Sequence, residues 1–198
     1  MTYKTAWRMF NLIRNRLMTQ DYNGPLSGQV EADETFVGGK LRESERRKLR
    51  AQGIVNRGPA TKPRAVVMGV VQRGGGVHAT VIPTRSSYHA RYTVREHVLP
   101  GSIVYTDDWG GYDKLGKSPK FTHRRINHSE KVYVSGDVHT QTIEGFFSLV
   151  KNGIRGVYHS VSTKWLQGYL NEYAWRYNHR DDPQAMFWRL LRRSAMAS

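Results

Sequence analysis

The chain has 198 residues, a net charge of +15 from 31 Lys+Arg against 16 Asp+Glu, and no cysteine. The length suffices for one compact domain with a sizeable core. The lack of cysteine excludes a disulfide scaffold, a zinc-thiolate finger and a Cys-nucleophile enzyme, and apolar runs such as residues 65–71 are far too short to span a membrane.

Residues 5–18 read as an amphipathic helix, with Ala6, Phe10, Ile13 and Leu17 on one apolar stripe and Arg8, Arg14 and Arg16 largely off it. Asn23-Gly24-Pro25 ends that segment. Residues 28–37 read as a strand closed by Gly38-Gly39. Residues 40–64 are rich in Arg, Lys and Gly without an apolar period, which predicts a mobile basic insertion. Two β-branched runs, 65–72 and 77–83, flank Arg73-Gly74-Gly75-Gly76, a strong hairpin signal. A short helix over 92–99 stops at Pro100-Gly101, and a buried strand over 102–106 delivers Asp107 at its end. Residues 117–135 read as loops with short strands, one of them Val132-Tyr133-Val134. Helical period returns from Thr140 through Ile143, Phe147, Val150 and Ile154, again over 163–177, and last over about 184–193. Helix, several strands, then helices predicts an α/β domain, a mixed sheet with helices packed on it, preceded by a helical leader.

The charge is unevenly spread. Residues 30–39 carry −3 (Glu31, Asp33, Glu34), residues 40–64 carry +7, residues 65–113 are neutral, and residues 114–198 carry +8. With 38% hydrophobic residues the chain can fold, so its charge is a surface property. A pI near 10.3 points to a polyanion, most simply nucleic acid. A ribosomal, RNA-associated or membrane-surface protein has the same pI. No signal-peptide pattern is present, so a cytoplasmic protein is the default. Carboxylates beside a basic patch weaken a mere polyanion coat; they make sense if they hold a cation that itself faces phosphate.

Three acids stand where an unpaired charge is costly. Asp33 lies among Val30, Ala32, Phe36 and Val37, Asp107 follows a buried strand, and Glu144 lies one residue from a helix's apolar stripe. Two or three such carboxylates suffice for Mg²⁺, which prefers hard oxygen ligands. Lys151 lies seven residues after Glu144, back on nearly the same helix face, with Ser148 between them. On spacing alone, a solvated face accounts for Lys151 at least as well as a phosphate contact does. Glu34 and Asp108 are adjacent alternatives to Asp33 and Asp107, but strand alternation sends neighbours to opposite faces, so at most one of each pair is expected in a site. Glu31 shares the face of Asp33. Asp113 and Asp137 read as turn residues, and His128 and His139 as DNA contacts, carboxylate partners or surface histidines. Trp109, Tyr112, Tyr158 and Trp175 read as core before they read as base-stacking groups.

Four stretches taken together resemble a known family. They are Val30-Glu31-Ala32-Asp33-Glu34-Thr35-Phe36-Val37-Gly38-Gly39-Lys40, Tyr105-Thr106-Asp107-Asp108-Trp109-Gly110-Gly111-Tyr112, His139 through Lys151 continuing into Gly153-Ile154-Arg155-Gly156, and Glu172-Tyr173-Ala174-Trp175-Arg176-Tyr177-Asn178-His179-Arg180. In this order they resemble the DDE transposases of bacterial insertion sequences, the IS-fifteen-ninety-five (ISXO-two-like) group, over roughly residues 28–180. The resemblance implies a ribonuclease-H-like fold as in retroviral integrases, a mixed five-stranded sheet flanked by helices. It implies an Asp33–Asp107–Glu144 triad holding two Mg²⁺ (or Mn²⁺) ions, with Lys151 on a phosphate. It also implies cleavage and strand transfer at insertion-sequence ends, with target DNA as second substrate, on a homodimer or higher oligomer near the nucleoid. Lys40, Arg46, Arg47, Lys48, Arg50 and Arg155 are expected along the DNA backbone.

Relatives of that group begin with a zinc ribbon and a helix-turn-helix. Here residues 1–27 resemble only the last helix of such a reader, ahead of a catalytic domain over 28–198. Gln141 stands where Asn is expected. The alternative is a truncated or inactive remnant that only binds DNA.

Overall fold

A computed structural model describes residues 1–19, 24–38, 47–48, 50–52, 64–126 and 140–196. Its centre is a five-stranded sheet: β1 (Gln29–Val37), β2 (Ala65–Gln72), β3 (Val77–Ile82), β4 (Ile103–Thr106) and β5 (Thr122–Arg125), in the order β3-β2-β1-β4-β5. β1, β2 and β3 form an antiparallel meander; β4 and β5 add to β1 in parallel. A meander followed by parallel strands on the far edge of β1 is the ribonuclease-H-like topology. The hairpin turns at Gly74, whose φ of +69° an L side chain rarely adopts.

Helices cover both faces. α2 (Ser87–His97) buries Ala90 and Val94 against Val30, Ala32, Met68, Val70 and Val104. It starts five residues earlier than its period indicates, because Ser86 caps it by accepting from the His89 N–H. α3 (Gln141–Gly156) and α4 (Thr163–Asn178) cover the other face, where Ile143, Phe147, Val150, Leu166 and Leu170 pack on Val67, Val71, Val77 and Ala79. α5 (Pro183–Met196) closes the described chain.

The leader departs from its predicted amphipathic reading. α1 (Tyr3–Leu12) runs into a π-helical turn, Ile13–Leu17. Phe10 is exposed, whereas Asn11 and Arg14 are buried. The docking face mixes polar and aromatic contacts: Arg14 Nε donates to Glu172 Oε2 on α4 at 2.7 Å, its guanidinium lies 4.1 Å from the Tyr169 ring centre, and Trp7 packs edge-on against Trp165. Burial alone would raise the Glu172 carboxyl, but Arg14 and Arg176 outweigh it and hold it below its ordinary value. Phe10 and Asn11 both precede the π turn, so the departure is set by the partners α4 offers, Glu172 and Tyr169, which select Arg14.

Of the basic stretch 40–64, Arg47, Lys48 and Arg50 are described and exposed. Lys40 and Arg46 lie outside the described residues, as do the strand expected at 132–134, Asp137, His128 and His139. No described helix is long and apolar enough to cross a membrane.

Candidate active site

The site forms where β4 ends beside the middle of β1. Gln29 pairs with Ile103 and Glu31 with Tyr105. Carrying this 74-residue offset (103 − 29) onward sets Asp107 level with Asp33, since 107 − 33 is also 74. Adjacent parallel strands therefore bring the two carboxylates together, Asp107 just past the end of β4 and Asp33 midway along β1. One oxygen each from Asp33, Glu34 and Asp107 lie within 4.8 Å of one another.

Each acid has a distinct environment. Asp33 Oδ1 accepts the Glu34 backbone N–H at 2.8 Å, and Asp107 Oδ1 accepts the Trp109 N–H at 3.1 Å. Burial pushes the Asp33 carboxyl up to about 7, reinforced by the charge of Glu34 and, more weakly, by Asp107 and Glu144; the Glu34 N–H works the other way. Three carboxylates this close repel one another, and hard oxygen donors in such a group suit a small divalent cation. The donor set thus fits Mg²⁺ or Mn²⁺.

Alternation does send Glu34 to the face opposite Asp33, yet it does not remove Glu34 from the cluster. Tyr112 Oη donates to its Oε2 at 2.6 Å and Arg85 pairs with its Oε1. The Tyr112 hydroxyl is raised well above its ordinary value, by burial first and then by Glu34. Asp108 takes no part in the cluster.

Arg85 escaped the sequence analysis. It sits between β3 and α2, pairs with Glu34, lies 3.8 Å from Asp107 Oδ2, and stacks 4.2 Å from the Trp109 ring centre. Arg73 does the same for Glu31, at 2.7 Å. Two of the four basic residues in the neutral segment 65–113 thus answer two acids of β1. That balance was the available signal.

Glu144 stands in the first turn of α3, exposed, with Oε1 accepting from Thr140 Oγ1 at 3.0 Å. It is outside the three-acid cluster, though its charge contributes to the Asp33 shift. The N-terminus of α3 is held by β1 itself: Glu31 accepts from the Ile143 N–H and the Thr142 hydroxyl, each at 3.0 Å. Two β1 residues of one face, Glu31 and Asp33, therefore hold this helix and face the site. Ser148 is exposed and Lys151 half-buried on the same helix, and Arg155 is exposed in its last turn. Tyr112 and Trp175 are core residues, as expected; Trp109 and Tyr158 are half-buried.

The model of the ISXO2-like transposase domain matches residues 25–178, which spans the whole sheet, the acidic cluster and α3. The chain belongs to the ISXO2-like transposase family. A protein of transposable element ISH50 from Halobacterium salinarum is 31% identical over 177 residues, covering 85% of this chain and 59% of that protein. A transposase-like protein of Haemophilus influenzae is 32% identical over 105 residues, covering 53% of this chain and 83% of the relative. This transposase-family chain thus spans about three-fifths of its Halobacterium relative. Among solved structures, a simian T-cell lymphotropic virus intasome in complex with a PP2A regulatory subunit aligns with a TM-score of 0.47 and 13% identity, over 90% of this chain and 62% of that one.

Proposed function

We propose that this chain is the catalytic part of a transposase that cleaves DNA at insertion-sequence ends and joins the freed 3′ end to target DNA. The observation that supports this is the register of β1 and β4, which sets Asp107, just past the end of β4, level with Asp33 midway along β1.

Asp33 and Asp107 would hold the divalent cation, with Glu144 completing the set from α3. Bound Mg²⁺ or Mn²⁺ supplies Lewis acidity, which activates the attacking oxygen and offsets charge on the phosphate. The chain's own residues do the rest. Glu31 fixes the helix that carries Glu144. Trp109 and Glu34 N–H groups orient one oxygen of each aspartate. Lys151 and Arg155, along α3, provide phosphate contacts leading away from the cluster, and Arg47, Lys48 and Arg50 add sequence-independent affinity. The basic surface brings the polyanion to an acidic centre that a cation makes receptive.

The test is nicking and strand transfer on pre-cleaved ends, with Mg²⁺ or Mn²⁺. Asp33→Asn, Asp107→Asn and Glu144→Gln are each expected to lower product by roughly 100-fold or more, with DNA affinity retained. Equal product from wild type and Glu144→Gln would identify a DNA-binding chain without catalysis at this site.

A further inference from the structure

The solvent face of α2 carries a feature that the carboxylate site does not use. The helix buries Ala90, Thr93 and Val94. At helical spacing, the opposite side presents Tyr88, Tyr92 and Arg95. Tyr88 is 63% exposed and Tyr92 54%, and their rings lie 6.2 Å apart, inclined by 23°. Arg91 flanks them, its Nε bonded to the Ser87 carbonyl. The face begins three residues after Arg85, whose guanidinium touches Glu34 and Asp107.

We infer that this face is a stacking platform for unpaired nucleotides of the DNA strand entering the acidic site. The inference rests on the function proposed above. Two near-parallel exposed rings offer π-faces that accept any base. Arg91 and Arg95 supply the charge that a backbone phosphate requires, set against the lone Glu96 at the helix edge. A protein partner fits less well, because α2 spends its aliphatic side chains, Ala90 and Val94, on the core and has none left for this face. A second copy of a chain with net charge +15 would bring like charge to like.

The experiment measures anisotropy of a labelled single strand of about 12 nucleotides and of a blunt duplex, with wild type, Tyr88→Ala/Tyr92→Ala and Tyr88→Phe/Tyr92→Phe. The double alanine variant is expected to bind the single strand at least roughly tenfold more weakly. Its duplex affinity should stay within about twofold, and the phenylalanine variant should retain single-strand binding. Arg95→Ala should reduce the salt slope for the single strand by roughly 0.7. Unchanged single-strand affinity in the alanine variant overturns the platform. So does equal loss on both DNAs, or a concentration-dependent self-association that the alanine variant abolishes. Metal-dependent nicking by wild type is read in parallel. Nicking without tyrosine-dependent binding overturns the platform alone; tyrosine-dependent binding without nicking overturns the catalytic reading alone.

Discussion

Glu31 accepts the backbone N–H of Ile143 at 3.0 Å, so a strand residue two positions before Asp33 supplies the N-terminal cap of the helix that carries Glu144. The helix's own Thr140 makes no side-chain cap bond to a backbone N–H. Glu31 is wholly buried and is balanced by Arg73 at 2.7 Å. One carboxylate therefore ties together β1, the β2–β3 turn and α3.

Glu31→Gln should remove the carboxylate charge at the Arg73 contact and weaken the hold on α3. We expect a loss of about 1–3 kcal/mol in urea denaturation. Strand transfer should fall further than DNA affinity, because Glu144 shifts while the basic surface does not. Wild-type stability in this variant would refute the capping role.

Gly69 pairs with Asp33 across β1 and β2. A Cβ there would stand 2.8 Å from both Ile143 Cδ1 and Phe147 Cζ. Gly69→Ala is thus expected to push α3 off the sheet, at a cost of about 1–3 kcal/mol. Activity should drop with it, as Glu144 moves with the helix. A fully active, equally stable variant would show that α3 adapts by rotamer changes alone.

Asp33 gives the metal-free protein a pH dependence. Its carboxyl is raised from an ordinary 3.8 to about 7. Between these values the folded state keeps a proton that the unfolded chain has lost. The contribution of Asp33 to stability therefore falls as pH rises from about 4 to about 7. A melting-temperature profile should show this decline, and Asp33→Asn should flatten it. Mn²⁺ should raise the melting temperature most near and above pH 7, where its binding displaces little proton. A profile identical in wild type and Asp33→Asn would remove Asp33 as its source.

Arg14 and Glu172 join the leader to α4 with both side chains over 90% buried, at 7% and 9% exposure. Arg14→Ala is expected to cost about 3 kcal/mol, even though Arg176 still pairs with Glu172 at 2.9 Å. Trypsin should then cut within residues 1–19 faster than in wild type. Unchanged cleavage would show that the Trp7–Trp165 contact, 4.7 Å between ring centres, suffices to hold the leader.

By itself, the sequence determined the elements whose signals are local. The glycine-rich turn between two β-branched runs, the strand ending at Asp107 and the 4-3-4 spacing from Ile143 to Ile154 each lie within a few residues, and each element formed. The same local reading singled out Asp33 and Asp107, which the structure brings together, and Glu144, which is exposed and lies outside the three-acid cluster. It misplaced the docking face of the leader, because a period shows which residues share a face and not what that face meets. It also expected at most one of Asp33 and Glu34 in the site, whereas both join the acidic cluster, because alternation does not reckon with the reach of a long side chain. The tertiary structure decided which charges meet. Arg73 reaches Glu31 across 42 residues, Arg85 reaches Glu34 across 51, and Arg14 reaches Glu172 across 158. Such pairs have no period and no fixed spacing; they exist only once the sheet register has brought distant strands level.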